Sequence, residues 1–161
     1  MKHDVRLLSF IIRFFVVSFA LLMAAATNAE PQRKLANILA RHKNAHRIIV
    51  YAIPERILFN NAVLPGNVKK FAEFEFTFVA GSQEWNDFWK VAEDTIIAGQ
   101  TGSGDFRWAL FAEGVSRQQI QMLAIDRTAR VTFIDGQYSS AHGSLFRWLK
   151  SLALHPRTTR K

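Results

Sequence analysis

Asp135, Ser139, Ser140 and His142 fall within eight residues. They supply the three chemical types of a hydrolase triad: a hydroxyl nucleophile, an imidazole base and a carboxylate to orient that base. The segment lacks the Gly-x-Ser-x-Gly turn that presents such a serine, and Asp135-Gly136 reads equally as a tight hairpin turn. A catalytic reading of Asp135, Ser140 and His142 is therefore the weaker alternative. His42 and His46 stand four apart, the spacing with which two imidazoles share a metal on a helix. Residues 43 and 44 are Lys and Asn, so the glutamate of a metalloprotease helix is missing, and Arg41, Lys43 and Arg47 would repel a cation. Helix-end histidines are expected, with a metal site on His42 and His46 as the lesser reading. Glu73 and Glu75 could pair as acid and base, but two carboxylates two apart on a strand read as its solvated face. The run Thr101-Gly102-Ser103-Gly104-Asp105 has no Lys-Ser/Thr after it, so it is not a phosphate-binding P-loop. No motif calls for a cofactor, and an enzyme is the less favoured reading.

Arg33, Lys34, Arg41, Lys43 and Arg47 fall within fifteen residues with no acid among them. A helix predicted over 31–44 sets Lys34 and Arg41 one heptad apart, on one side. Lys34, Arg41, Lys43 and Arg47 are the expected binding residues, with a basic tail at 157–161 able to extend them. The partner that fits is an acidic protein surface, with an anionic polymer as the alternative.

The chain has 161 residues, a net charge of +8 and no cysteine. Disulfides, thiolate metal sites, a cysteine nucleophile and a lipid-modified cysteine are thereby excluded. Met1–Arg6 is short and basic, residues 14–26 are apolar apart from Ser18, and small residues at Thr27 and Ala29 precede Glu30. This is the pattern of a secretory signal, predicted as residues 1–29 with cleavage near Ala29/Glu30. An uncleaved anchor beginning near Leu7 is the competing reading. With the signal removed, 18 basic against 12 acidic residues leave a net +6, no membrane span is expected, and the destination is periplasmic or secreted.

These groups must be held by a domain predicted over 30–156. Phe74, Phe76 and Phe78 alternate with Glu73, Glu75 and Thr77, the signature of a strand with one buried face. Trp85, Phe88, Trp89, Ala92 and Ile96 fall on one stripe of a helix opened at Ser82, with Gly99 as its expected stop. Residues 106–113, 119–125, 130–134 and 137–141 read as a meander, and a helix carrying Leu145, Trp148, Leu149 and Leu152 follows. A strand over 46–53 and a short one over 56–59 complete the pattern. The expected class is α+β, a mainly antiparallel sheet packed with about three helices. The function these observations favour is an exported, non-enzymatic binding protein: an inhibitor, immunity or accessory factor. The alternative is an exported hydrolase of cell-wall or polyanionic substrate.

Overall fold

Side-chain alternation sorts this sequence into strands with two distinct faces. The computed structural model describes residues 32–154; the expected signal segment, its cleavage point and the basic tail lie outside the described residues. All described residues fall in one unit that begins at Gln32. In chain order they form β1 (Arg33–Lys34), α1 (Leu35–Ile38), a 3-10 turn (Ala40–His42), β2 (Arg47–Ala52), a second 3-10 turn (Pro65–Asn67), α2 (Val68–Phe71), β3 (Phe74–Val79), α3 (Gln83–Asp94), β4 (Ile96–Gln100), β5 (Phe106–Glu113), β6 (Gln119–Asp126), β7 (Val131–Ile134), β8 (Gln137–His142) and α4 (Leu145–Leu154). The eight strands make one sheet in the order β1-β4-β8-β7-β6-β5-β2-β3, and every pairing is antiparallel. The protein is α+β, with β5 to β8 as the meander. No helix among the described residues is long and apolar enough to cross a membrane.

One sheet face carries the helices. Ile48, Val50 and Ala52 of β2, Phe76 and Phe78 of β3, and Trp108 and Leu110 of β5 meet Trp85 and Phe88 of α3 and Leu145 and Leu149 of α4. Trp148 closes this layer, its ring centroid 5.6 Å from those of Phe78 and Phe88. Phe88 is 0% exposed, and burying a side chain of that size contributes about 1.5–3 kcal/mol. The opposite face is covered by the crossover between β2 and β3. There Ile53, Val63 and Val68 pack on Phe106, Ala109 and Ala124. The helix α3 starts where expected: the Ser82 hydroxyl accepts from the Trp85 backbone N–H at 3.2 Å, an N-cap. The β7–β8 hairpin turns on Asp135 and Gly136, with φ of 51° and 85°. Two consecutive positive φ angles are the geometry this dipeptide favours.

Three expectations change. The helix over 31–44 is broken: Lys34 lies in β1, paired with Ile96, and Arg41 lies in a 3-10 turn. The Leu35 N–H donates to the Thr95 carbonyl at 2.8 Å, so sheet pairing takes groups a longer helix would have used. Residues 56–59 form no strand; a turn with Ile57 N–H on the Pro54 carbonyl at 3.1 Å stands there instead. Gly99 does not stop α3, which ends at Asp94. It sits in β4 with φ 52°, at the irregularity where the register with β8 shifts between Ala98 and Gln100.

Candidate functional site

Register assembles a polar row that no local motif announces. Val79, Arg47, Glu113 and Gln119 stand side by side across β3, β2, β5 and β6. In β2 this places Arg47 in phase with Ile49 and Tyr51, away from the helices, whereas Ile48 and Val50 enter the helical layer. Glu113 Oε1 accepts from Arg47 Nε at 2.8 Å and from Nη2 at 2.7 Å, and Oε2 accepts from Gln119 Nε2 at 3.1 Å. Gln119 Oε1 in turn accepts from Lys69 Nζ at 2.6 Å and from the Tyr51 hydroxyl at 3.3 Å. Lys69 Nζ lies 5.2 Å and 5.4 Å from the ring centroids of Tyr51 and Phe111. The crossover helix α2 is thus tied to the row through one lysine.

The Gln119 hydrogen bond, joined by Arg47 and Arg117, holds the Glu113 carboxyl below the ordinary carboxylate range, against the opposing effect of its burial. Glu113 is ionised at neutral pH, and three donors already occupy its two oxygens. That makes it an anchor for Arg47 rather than a free base. Arg47 spends Nε and Nη2 on Glu113, and its remaining Nη1 edge has no partner among the described residues.

Beside this edge opens a concavity of about 500 Å³ lined by His46, Arg47, Glu113, Gly114, Val115 and Arg117. The β5–β6 turn builds its rim. Arg117 N–H donates to the Gly114 carbonyl at 3.0 Å, and Arg117 takes a φ of 60°, a backbone region side-chain-bearing residues enter at a cost. No hydrogen bond or ion pair holds the Arg117 side chain among the described residues. Val115, two residues earlier, is 93% exposed. The site therefore offers two guanidinium groups, one hydrogen-bonded to Glu113 and one near that carboxylate without a hydrogen bond among the described residues, next to the exposed Val115. Such forks suit carboxylate oxygens.

The other expected binding cations lie elsewhere. Lys34 and Lys43 both approach Glu93 of α3, at 3.9 Å and 4.0 Å, and Arg41 pairs with Asp135. The expected patch is thus divided: Lys34, Arg41 and Lys43 beside α3 and the β7–β8 turn, Arg47 on the far face of the sheet. His42 and His46 are not joined either. His42 is buried, and its Nε2 accepts from Arg41 Nε at 3.0 Å, which uses the lone pair a metal would need. Burial, and then Arg41, lowers the His42 pKa against the pull of Asp135. His46 lines the concavity instead, its backbone N–H on the Glu113 carbonyl at 2.8 Å. No group of three or more metal-ligating side chains occurs among the described residues.

The triad ingredients are also dispersed. Asp135 sits in the hairpin turn and His142 at the far end of β8, seven positions along the chain, or about 20 Å at strand rise. Ser140 donates its hydroxyl proton to the Ala98 carbonyl across the β4–β8 pair. Glu73 is engaged with Arg56 at 2.7 Å. Asp105, from the glycine-containing loop, accepts from Arg107 Nη2 at 2.6 Å and from the Val63 N–H at 3.0 Å. That loop is fastened to the crossover and presents no phosphate cradle.

Fold and site together define a cysteine-free α+β protein with an eight-stranded antiparallel sheet and a cationic concavity at one sheet end. Compared with protein-family models, curated proteins and solved structures, the chain matches none of them. Of the groups at this site, the sequence alone singles out Arg47, as an expected binding residue, and His46, as a metal alternative. Glu113, Gln119, Lys69 and Arg117 went unnoticed. The available signal was Glu113 itself, a carboxylate ending the apolar run Trp108–Ala112 of β5 where a buried partner is required.

Proposed function

We propose that the chain is a non-enzymatic binding protein, exported after cleavage near Ala29/Glu30, that engages an acidic surface on a protein partner. One observation carries the reading: a buried glutamate fixes Arg47 at the edge of a concavity whose other guanidinium, Arg117, has no hydrogen bond or ion pair among the described residues and whose rim carries the exposed Val115. A carboxylate side chain of the partner fits between the two arginines, and Val115 with Val79 offers the apolar contact that would slow dissociation. Lys34, Arg41 and Lys43, each already facing an acid, contribute long-range attraction more than contact.

The test uses an immobilised peptide of alternating glutamate and leucine, with polyphosphate as the competing probe. Arg117→Asn removes the charge while suiting the positive φ. It is expected to weaken peptide binding about tenfold, the worth of a charge-assisted hydrogen bond. Reversing Lys34, Arg41 and Lys43 to Glu is expected to slow association and leave dissociation nearly unchanged. Peptide binding that is indifferent to Arg117→Asn rejects this site, and a preference for polyphosphate selects the anionic-polymer alternative. Export is checked by intact mass: material beginning at Glu30 supports it, and a full-length mass supports the anchor.

A further inference from the structure

The two ends of the sheet are not alike. β1 closes one end with only Arg33 and Lys34, short and charged as natural sheet edges usually are. β3 closes the other with Phe74–Val79, in unbroken register with β2 and without proline, glycine or lysine. Which of its backbone groups face outward follows from the ladder. The Ile53 N–H donates to the Arg107 carbonyl at 2.8 Å, and the Ala80 N–H to the His46 carbonyl at 2.9 Å. Within β2, odd-numbered residues therefore bond β5 and even-numbered ones bond β3, because the two kinds alternate along an antiparallel strand. In β3 this turns the backbone of Phe74, Phe76 and Phe78 to β2 and directs the N–H and C=O of Glu75, Thr77 and Val79 out of the sheet.

Among the described residues β3 pairs with β2 alone, and Thr77 and Val79 are exposed. Phe76 and Phe78 are already covered by the helical layer, so a strand added here gains from backbone pairing rather than from burying rings. The side chains on the opposite face set what that strand must carry. Its residue opposite Val79 stands two strand spacings, about 10 Å, from Arg47, a span that a glutamate and an arginine bridge together. Its residue opposite Glu75 cannot be an acid without repulsion. An antiparallel strand with an acid at one end, an uncharged residue at the other and a small polar residue midway meets both demands. β3 itself is such a strand, with Glu75, Thr77 and Val79 in those places.

We propose that β3 pairs with β3 of a second copy of this chain, antiparallel about a two-fold axis at Thr77. Thr77 of each copy then exchanges N–H and carbonyl with Thr77 of the partner copy, and each Val79 N–H meets the Glu75 carbonyl of the partner copy. These bonds leave the Val79 carbonyl to the Ser82 N–H, from which it accepts at 3.0 Å. Each Glu75 joins one row with Val79 and Arg47 of the partner copy, next to a guanidinium that Glu113 already fixes. Arg117 takes no part, and the pairing does not depend on what the concavity binds.

Sedimentation equilibrium of the purified protein over a concentration series is expected to show monomers giving way to dimers. As they form, the Thr77 amide should exchange hydrogen more slowly, while the Phe76 amide, bonded to β2, stays unchanged. Thr77→Pro removes one outward donor from each copy and none from the β2 ladder, and is expected to weaken the dimer at least about tenfold. Thr77→Lys sets like charges opposite each other and is expected to weaken it likewise, whereas Arg117→Asn leaves it intact. The chain has no cysteine, so a single introduced one reports only on its own counterpart. Thr77→Cys is expected to cross-link on oxidation, its Cα about 5.5 Å from that of its counterpart. Val79→Cys, about 13 Å from its counterpart along the strand, is out of range. Monomers at every concentration, a dimer indifferent to Thr77→Lys or lost with Arg117→Asn, or cross-linking as efficient at 79 as at 77 each overturn the proposal. Should Thr77→Pro fail to fold, Thr77→Lys, at an exposed side chain, decides alone.

Discussion

Arg47 and Glu113 stand opposite each other on β2 and β5, and the pair is unequal: the Glu113 side chain is 4% exposed and that of Arg47 38%. The carboxylate lies under the sheet surface and the guanidinium lies half above it. Removing the exposed partner would leave a buried charge without its counterion, the costlier way to break such a pair. The geometry therefore fixes a cation where solvent or a ligand can reach it, at the expense of a glutamate that nothing outside can use.

Acid should expose that arrangement. The folded-state pKa of Glu113 is depressed, so the stabilisation it provides is present above the unfolded glutamate value of about 4.3 and is lost as pH falls through the folded value. Glu113→Gln is expected to lower the urea midpoint at neutral pH and to flatten its decline on the acid side. An acid-side slope equal to wild type would show that other carboxylates carry it.

His42 should act in a different window. Burial and Arg41 depress its pKa, so the unfolded chain takes up the proton first, at about 6.5. Stability is full above that value and falls as pH drops towards the folded value. His42→Gln is expected to reduce the slope of stability between about pH 7 and pH 5. Urea midpoints for both proteins across that interval check this, with an unchanged slope as the contrary result.

Trp108 is 6% exposed and stands in the layer that also holds Trp85 and Phe88. Trp108→Ala is expected to cost about 3–5 kcal/mol in urea unfolding, as aromatic truncations in cores do. A loss under about 1 kcal/mol would place the ring outside the cooperative core.

Gly143 joins β8 to α4 with φ 137°, and a Cβ there would lie 2.7 Å from the Asp94 carbonyl oxygen and 2.9 Å from Thr95 Cα. Both contacts are backbone, so neither can swing aside. Gly143→Ala is expected to destabilise by more than about 1 kcal/mol. A neutral variant in thermal unfolding would show that the α3–β4 junction can shift.

How legible each part was depends on the range over which its cause acts. The alternation of Phe74, Phe76 and Phe78, the stripe of α3 and the Asp135-Gly136 turn are local and could be read directly. The segment 31–44 misled because its apolar spacing fits a helix, while the pairing of Lys34 with Ile96 comes from more than sixty residues away. β4 was hidden for the same reason: Ile96 continues the α3 stripe, and its partners in β1 and β8 make it a strand. The Arg47 site is the extreme case. Its row draws on residues 47, 79, 113 and 119, and a slip of one residue in any pairing would turn that side chain to the other face.

The strand order also bears on how the protein is made. β4 has two neighbours, β1 from the start of the described chain and β8 from near its end. A ribosome delivers residues in sequence, at about 5–20 per second, so β4 leaves it more than thirty residues before the strand that must seat it. Until His142 has emerged, β1 and β4 can pair only with each other, and two residues of β1 make a poor ladder. The nascent chain can close its β5–β6–β7 hairpins early, but one flank of the sheet waits for the last strand. A chain truncated before Gln137 should therefore lose β1 and β4 along with β8, and limited proteolysis of ribosome-stalled chains should show residues 33–43 and 96–100 becoming resistant together, in one late step.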